Sequence, residues 1–187
     1  MPLIRYTPLL CLLIASVPAR AQDPAPRPAR LVTRAQVRSA EMPGIRLDYM
    51  DVIWNETAFE VFENGGALAF AQRPWFLARL ELGRAIRLDD TDVAPGTYAL
   101  VAHANRGGEG TSLEVRQVPP STTLERGVVV EVPEGPLVYQ RKVSWERVAS
   151  TTERAQLHLE AIESGGRIVA LYGNRRMVQP FRLAPGP

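Results

Sequence analysis

From about Pro43 onward, apolar and polar residues alternate in short runs separated by turn-forming residues. Ile45-Arg46-Leu47-Asp48-Tyr49 alternates at period two. In Phe76-Leu77-Ala78-Arg79-Leu80-Glu81-Leu82, Phe76, Ala78, Leu80 and Leu82 share one face, and Arg79 and Glu81 share the other. Ser112 to Val118 and Gln156 to Ile162 alternate strictly. Val128 to Val132 is a continuous apolar run, and Val143 to Val148 is a weaker strand signal. Arg167 to Tyr172 and Val178 to Leu183 close the pattern. Successive side chains of a strand point to opposite faces, so burial of one face writes this period into the sequence. Pro95-Gly96, Gly107-Gly108, Pro119-Pro120, Glu134-Gly135-Pro136, Gly165-Gly166 and Gly173-Asn174 punctuate the runs. Many short strands at this spacing predict an all-β protein, an antiparallel β-sandwich or jelly-roll-like fold of about 8–10 strands.

Two places allow finer expectations. Ser164-Gly165-Gly166 lies between two alternating runs and predicts a hairpin, with glycine supplying the positive φ of a tight turn. Gly173-Asn174 would then turn the chain into the last strand, making the C-terminal third a meander. The stretch from Trp54 to Gly65 reads two ways. Asn55 could cap a short helix, with Glu56 in its first turn, Phe59 and Phe62 on one face and Gly65 at its end. The surrounding strands favour a strand over the same residues.

The first 42 residues differ in kind. Arg5 precedes an apolar run from Leu9 through Val17, which is shorter than the roughly 20 residues a spanning helix needs. Pro18 ends the run, and Ala19-Arg20-Ala21 supplies the small residues of a signal-peptidase site, so residues 1–21 read as a signal peptide cleaved after Ala21. Residues 22–42 are rich in Pro, Ala and Arg. Repeated prolines favour extended chain, and this segment is expected to be a disordered leader. Residues 43–187 then form one domain, long enough to bury a core without metal or disulfide. The expected location is outside the cytoplasm, in the periplasm or beyond, with no stable membrane insertion once the signal is removed.

Composition removes several classes of function. Cys11 is the single cysteine and lies inside the signal, so the exported chain has no thiol chemistry and no disulfide. The formal charge of +2 overstates the basicity. Arg5 and Arg20 belong to the signal, while all 20 acidic residues follow it, leaving the exported chain balanced. A nucleic-acid binder normally carries a basic face, and none is expected here. The local run Arg27, Arg30, Arg34, Arg38 and Arg46 reads as a solvated leader, or else as a contact with anionic lipid or polysaccharide.

The segment ARLELGRAIRLDDTDVAPGTYALV, Ala78 to Val101, is similar to the central motif of the DUF2911 proteins, a bacterial exported family of unknown function, in which a strand leads into a P-A-G-T-Y-x-L turn. The matching residues are Val93-Ala94-Pro95-Gly96-Thr97-Tyr98-Ala99-Leu100. Pro95 presets φ, Gly96 is free to take positive φ, and Thr97 and Tyr98 begin the next strand. The pair of runs around Ser164-Gly165-Gly166 and the later Val178-Gln179-Pro180-Phe181 are similar to that family's end. Gln72-Arg73-Pro74-Trp75-Phe76 departs from the order the family carries ahead of this motif. The resemblance implies an all-β exported domain and brings no activity with it.

Candidate chemistry is sparse. His103 and His158 fall in different runs, and no HExxH or HxH spacing is present. Asp89-Asp90-Thr91-Asp92 offers hard oxygen ligands and is the calcium candidate, although its spacing is not that of an EF-hand. No nucleophile elbow occurs, and Arg106-Gly107-Gly108-Glu109-Gly110 lacks the Lys and hydroxyl of a phosphate loop. No cofactor is implied. Trp54, Phe59, Phe62, Phe70, Trp75 and Phe76 are concentrated in one stretch. They form either much of the core or an aromatic platform of the kind that stacks on sugar rings. In the platform reading Trp54 and Trp75 carry the ligand contact, with Arg73 beside them and Trp145 as a third candidate. The expectation is a non-catalytic binding or interaction module for a glycan or an envelope protein. The alternative is a hydrolase of envelope polymer using a carboxylate pair that the sequence does not single out. A structural accessory protein is the third reading.

Overall fold

The computed structural model describes residues 35–63, 75–104, 111–124 and 132–184. The signal segment, most of the expected leader, Arg73, the loop around Gly107 and residues 128–131 of the apolar run lie outside the described residues.

The expected all-β architecture is what the chain forms. Its elements, in order, are β1 (Val37–Met42), β2 (Ile45–Met50), α1 (Glu56–Glu63), β3 (Trp75–Leu82), β4 (Ile86–Leu88), β5 (Thr91–Val93), β6 (Gly96–Ala104), β7 (Thr111–Gln117), β8 (Leu137–Val143), β9 (Glu146–Ile162) and β10 (Gly165–Leu183). One sheet has the order β1-β2-β3-β6-β7-β8 and the other β5-β4-β10-β9. Every pairing is antiparallel. The inner faces meet in one core. Leu47, Leu80, Leu100, Leu113 and Val115 from the first sheet pack with Ile86, Leu88, Val93, Ile168 and Phe181 from the second. Burial of these alternating side chains is the main force holding the sheets together.

Four sequence expectations change on contact with the structure. First, the first strand among the described residues begins at Val37, inside the segment read as leader. Arg38, Ser39 and Glu41 of β1 are exposed, so an edge strand with this polar face lacks the apolar alternation that marks a strand. Second, residues 56–63 form a helix rather than a strand. Asn55 accepts a hydrogen bond from the Ala58 amide at 2.9 Å, and Phe59 and Phe62 are both fully buried. The cap and the i, i+3 spacing outweigh the influence of the neighbouring strands.

Third, Phe76 does not share a face with Ala78. A bulge at Leu77 places Phe76 opposite Val101 and Ala78 opposite Leu100. The extra residue turns Phe76 to the outer face, where it packs with Ala99, Val101, Val118 and Leu124.

Fourth, the glycines near residue 165 serve closeness rather than positive φ. The turn itself is Glu163-Ser164, because Ile162 pairs with Gly165. Further along, β10 doubles back on itself. Nineteen extended residues would span roughly 60 Å. Yet the Leu183 amide donates to the Ser164 carbonyl at 3.2 Å, and a Cβ on Gly166 would lie 2.4 Å from the Phe181 ring. Gly173, at φ +60°, marks the reversal. Residues on either side of Gly173 are therefore two arms of a hairpin, and with β9 they make the expected C-terminal meander.

The Pro95-Gly96 turn also has a closing contact. The Tyr98 hydroxyl donates to the Ala94 carbonyl at 2.7 Å, and Gly96 leaves room for the same ring.

Candidate functional site

The Trp-rich stretch assembles around the tip of the β10 hairpin. Trp54 meets Tyr172 edge-on with centroids 4.7 Å apart and Phe59 at 5.4 Å. Trp75 stacks on Phe62 at 4.3 Å and 21°. Trp145 meets Phe59 edge-on at 5.2 Å. Arg175 lies 5.6 Å over the Phe59 ring and pairs with Glu63 at 3.3 Å. The three tryptophans thus belong to one cluster built on the helix and the hairpin. Trp75 and Trp145 are committed to internal contacts. Trp54 also borders an open cleft.

That cleft lies where the β9–β10 register shifts. Pairing between β9 and β10 is irregular from Leu171 to Arg175, with Gly173 still opposite Thr152. Over that stretch β9 also takes a second neighbour. The Trp54 amide donates to the Glu153 carbonyl at 2.9 Å, the Ala155 amide donates to the Val52 carbonyl at 2.8 Å, and Ile53 bridges to Arg154. Tyr172 fixes the same segment from beneath by donating to the Ile53 carbonyl at 2.9 Å. The result is a cleft of about 340 Å³ lined by Ile53, Trp54, Thr151, Thr152, Glu153 and Arg154.

Asp51 anchors the cleft's rim. Its side chain, 6% exposed, accepts from the Gln36 amide, from Arg38 Nε at 3.1 Å and from Arg154 at 3.3 Å. Burial alone would raise this carboxyl. The Gln36 and Arg38 hydrogen bonds and the charges of Arg154 and Arg38 outweigh it and hold Asp51 below the usual carboxylate range.

The other sequence candidates are placed elsewhere. Asp89, at φ 47°, accepts from the Tyr139 hydroxyl at 2.7 Å and from Arg141 at 3.1 Å. Asp92 receives Arg87 through both oxygens, at 2.6 and 2.9 Å. Two of the three carboxylates of the calcium candidate are therefore spent on protein partners, and the third, Asp90, is exposed in the turn between them. His103 sits in the six-stranded sheet, 3.5 Å from Glu114, whereas His158 is exposed on β9 beside Gln156. Among the described residues no cluster of three His, Cys, Asp or Glu side chains could hold a metal. Among them also, no helix is long and apolar enough to cross a membrane. Arg38 and Arg46 of the basic run are paired with Asp51 and with Asp48 and Glu41.

Sequence reading missed the outer face of the six-stranded sheet. Register places Arg46 and Asp48 of β2 beside Arg79 and Glu81 of β3. Asp48 accepts from Ser39, Arg46 and Arg79 at 2.6, 2.9 and 3.3 Å. Desolvation would raise its pKa, but the Ser39 and Arg46 hydrogen bonds and the two guanidinium charges lower it overall. Further along, buried Glu114 receives Arg116 at 2.7 Å. The signal was the alternation itself: polar residues two apart on neighbouring strands fall into one row.

Compared with family models, with curated proteins and with solved structures, the chain gives no match.

Proposed function

We propose that this protein is a non-catalytic binding module of the bacterial cell envelope, and that it takes a glycan in the Trp54 cleft. The observation that carries this reading is the composition of that cleft. An indole held by Tyr172 and Phe59 stands beside two threonine hydroxyls, a carboxylate and a guanidinium. Sugar rings offer apolar faces to aromatic side chains and hydroxyls to polar ones, so this mixture suits them. The Pro95-Gly96 turn that resembles the DUF2911 motif is a scaffold device, Tyr98 closing on Ala94, and suggests no activity.

Isothermal titration of residues 22–187 with peptidoglycan and polysaccharide fragments tests the reading. A fragment should bind saturably without being consumed. Thr151→Ala and Glu153→Gln, both at exposed positions, should weaken it by about tenfold, equivalent to one lost polar contact. Binding untouched by both substitutions would remove the cleft as the site. Turnover of any fragment would replace the binding module with the hydrolase.

A further inference from the structure

The Trp54 cleft holds a charged edge that the protein does not itself use. Arg154 lines the cleft, and its side chain is 33% exposed. Its Nη1 makes both of its hydrogen bonds, donating to the Asp51 carbonyl at 3.0 Å and to the Asp51 carboxylate at 3.3 Å. Among the described residues nothing meets its Nε or Nη2, and neither atom is one of the buried donors that lack a partner. That side of the guanidinium is therefore open to solvent.

The Nε–H and one Nη2–H of an arginine point in parallel. Their spacing matches the two oxygens of a carboxylate, and such paired, charge-assisted bonds are strong ones. A single sugar hydroxyl engages one of these donors, whereas a carboxylate engages both.

Two acidic neighbours bear on how much of its charge Arg154 keeps for a ligand. Asp51 lies outside the cleft lining and is shared, one oxygen accepting from Arg38 Nε at 3.1 Å and the other from Arg154. One carboxylate between two guanidinium groups leaves Arg154 incompletely neutralised. Glu153 is the carboxylate of the lining itself. It is exposed, and among the described residues it makes no ion pair with Arg154. Repulsion from an exposed charge acts through water and is screened, while a carboxylate on the Arg154 edge is in direct contact. The balance favours an anionic group at Arg154. Trp54 and exposed Ile53 offer apolar surface to the body of the same ligand, and Thr151 offers a hydroxyl.

We propose that the ligand of the Trp54 cleft is an acidic glycan, and that its carboxylate seats on the Nε–Nη2 edge of Arg154. The inference rests on the glycan reading above and narrows it to sugars that carry a carboxylate, as a uronic acid or as a lactyl-substituted amino sugar.

The test is an NMR titration of ¹⁵N-labelled residues 22–187 with two matched pairs, glucuronic acid against glucose and N-acetylmuramic acid against N-acetylglucosamine. The acidic member of at least one pair should bind about tenfold tighter or more, and should shift the Arg154 Nε–H signal together with the Trp54 indole N–H. Preference in the first pair alone identifies a uronic acid, and in the second alone the lactyl group. Arg154→Lys keeps the charge and loses the fork, so the ratio of acidic to neutral affinity should fall by about tenfold. A ratio is read because a general loss of structure weakens both members alike, and the comparison on the unsubstituted protein needs no variant. Equal binding within both pairs, or tighter binding of the neutral members, overturns the acidic inference and leaves the glycan reading in place. An acid preference that leaves the Arg154 signal still and survives Arg154→Lys overturns it as well, because the carboxylate then sits elsewhere. Signals of Trp54 and of residues 151–154 that stay still with all four sugars remove the cleft as a sugar site, and this inference with it.

Discussion

A Cβ placed on Gly173 would lie 2.0 Å from the Trp54 indole. The tip of the β10 hairpin therefore has two reasons to be glycine: a φ of +60° and an aromatic ring pressed against its backbone. Gly173→Ala should destabilise the protein by at least about 2 kcal/mol, from left-handed strain and overpacking together. Urea denaturation measures the loss. Near-ultraviolet circular dichroism should change with it, since Trp54 is displaced. An unchanged midpoint and spectrum would mean that the indole is not seated on the turn.

Asp51 joins Gln36 and β1 to β9 through Gln36, Arg38 and Arg154. Asp51→Ala leaves the Gln36 amide without its acceptor, while both arginines keep access to water. The expected cost is about 2 kcal/mol, read from the urea midpoint. The pH dependence has a definite sign. The folded carboxyl is lowered, so its contribution is present above the unfolded value of 3.8 and is lost as pH falls below it. The variant should therefore show a shallower loss of stability in acid than the parent.

Tyr139 gives the opposite limb. Burial first, then its hydrogen bond to Asp89, pushes its phenol up to about 12 from 10.0. Below pH 10 folded and unfolded chains both keep the proton. Between pH 10 and about 12 the folded chain holds it while the unfolded chain releases it, so stability falls as pH rises through that window. Tyr98 and Tyr172 are raised by burial too and add to the slope. Tyr139→Phe should flatten part of the fall, measured as urea midpoints from pH 9 to pH 12. Parallel curves for parent and variant would show that the phenol is not held by Asp89.

Asn55→Ala removes the helix cap and should cost about 1 kcal/mol. Asn55→Asp should retain most of the stability, because a carboxylate caps equally well. Thermal melts of the two variants distinguish a cap from a side chain that happens to lie nearby.

The fold was legible where one face of a strand is buried and the other wet. Leu47, Leu80, Leu113 and Leu157 were visible as core residues because their neighbours are polar. Strand β1 was not, since its charged edge lacks apolar alternation. The bulge at Leu77 left no mark either: an extra residue shifts the faces without changing composition. In the described part of the aromatic stretch, read from sequence as core or platform, Trp54 and Trp75 pack against the Phe59 and Phe62 cluster. What sequence could not show was which indole borders open space. That depends on Val52–Trp54 meeting Glu153–Ala155, and nothing local in either segment encodes the meeting. The row of Arg46, Asp48, Arg79 and Glu81 had the same difficulty, because it appears once the register of β2 and β3 is known.

The Val52–Trp54 contact also has a kinetic meaning. Arg154 and Asp51 are 103 residues apart in sequence, whereas the β9–β10 turn closes over two residues, Glu163 and Ser164. Short loops close at small entropic cost and long ones at larger cost, so local hairpins zip before distant segments dock. The C-terminal meander can form while the first strands are still searching. The Trp54 cleft takes shape when Val52–Trp54 docks on Glu153–Ala155, and that separation in sequence makes its assembly a late event.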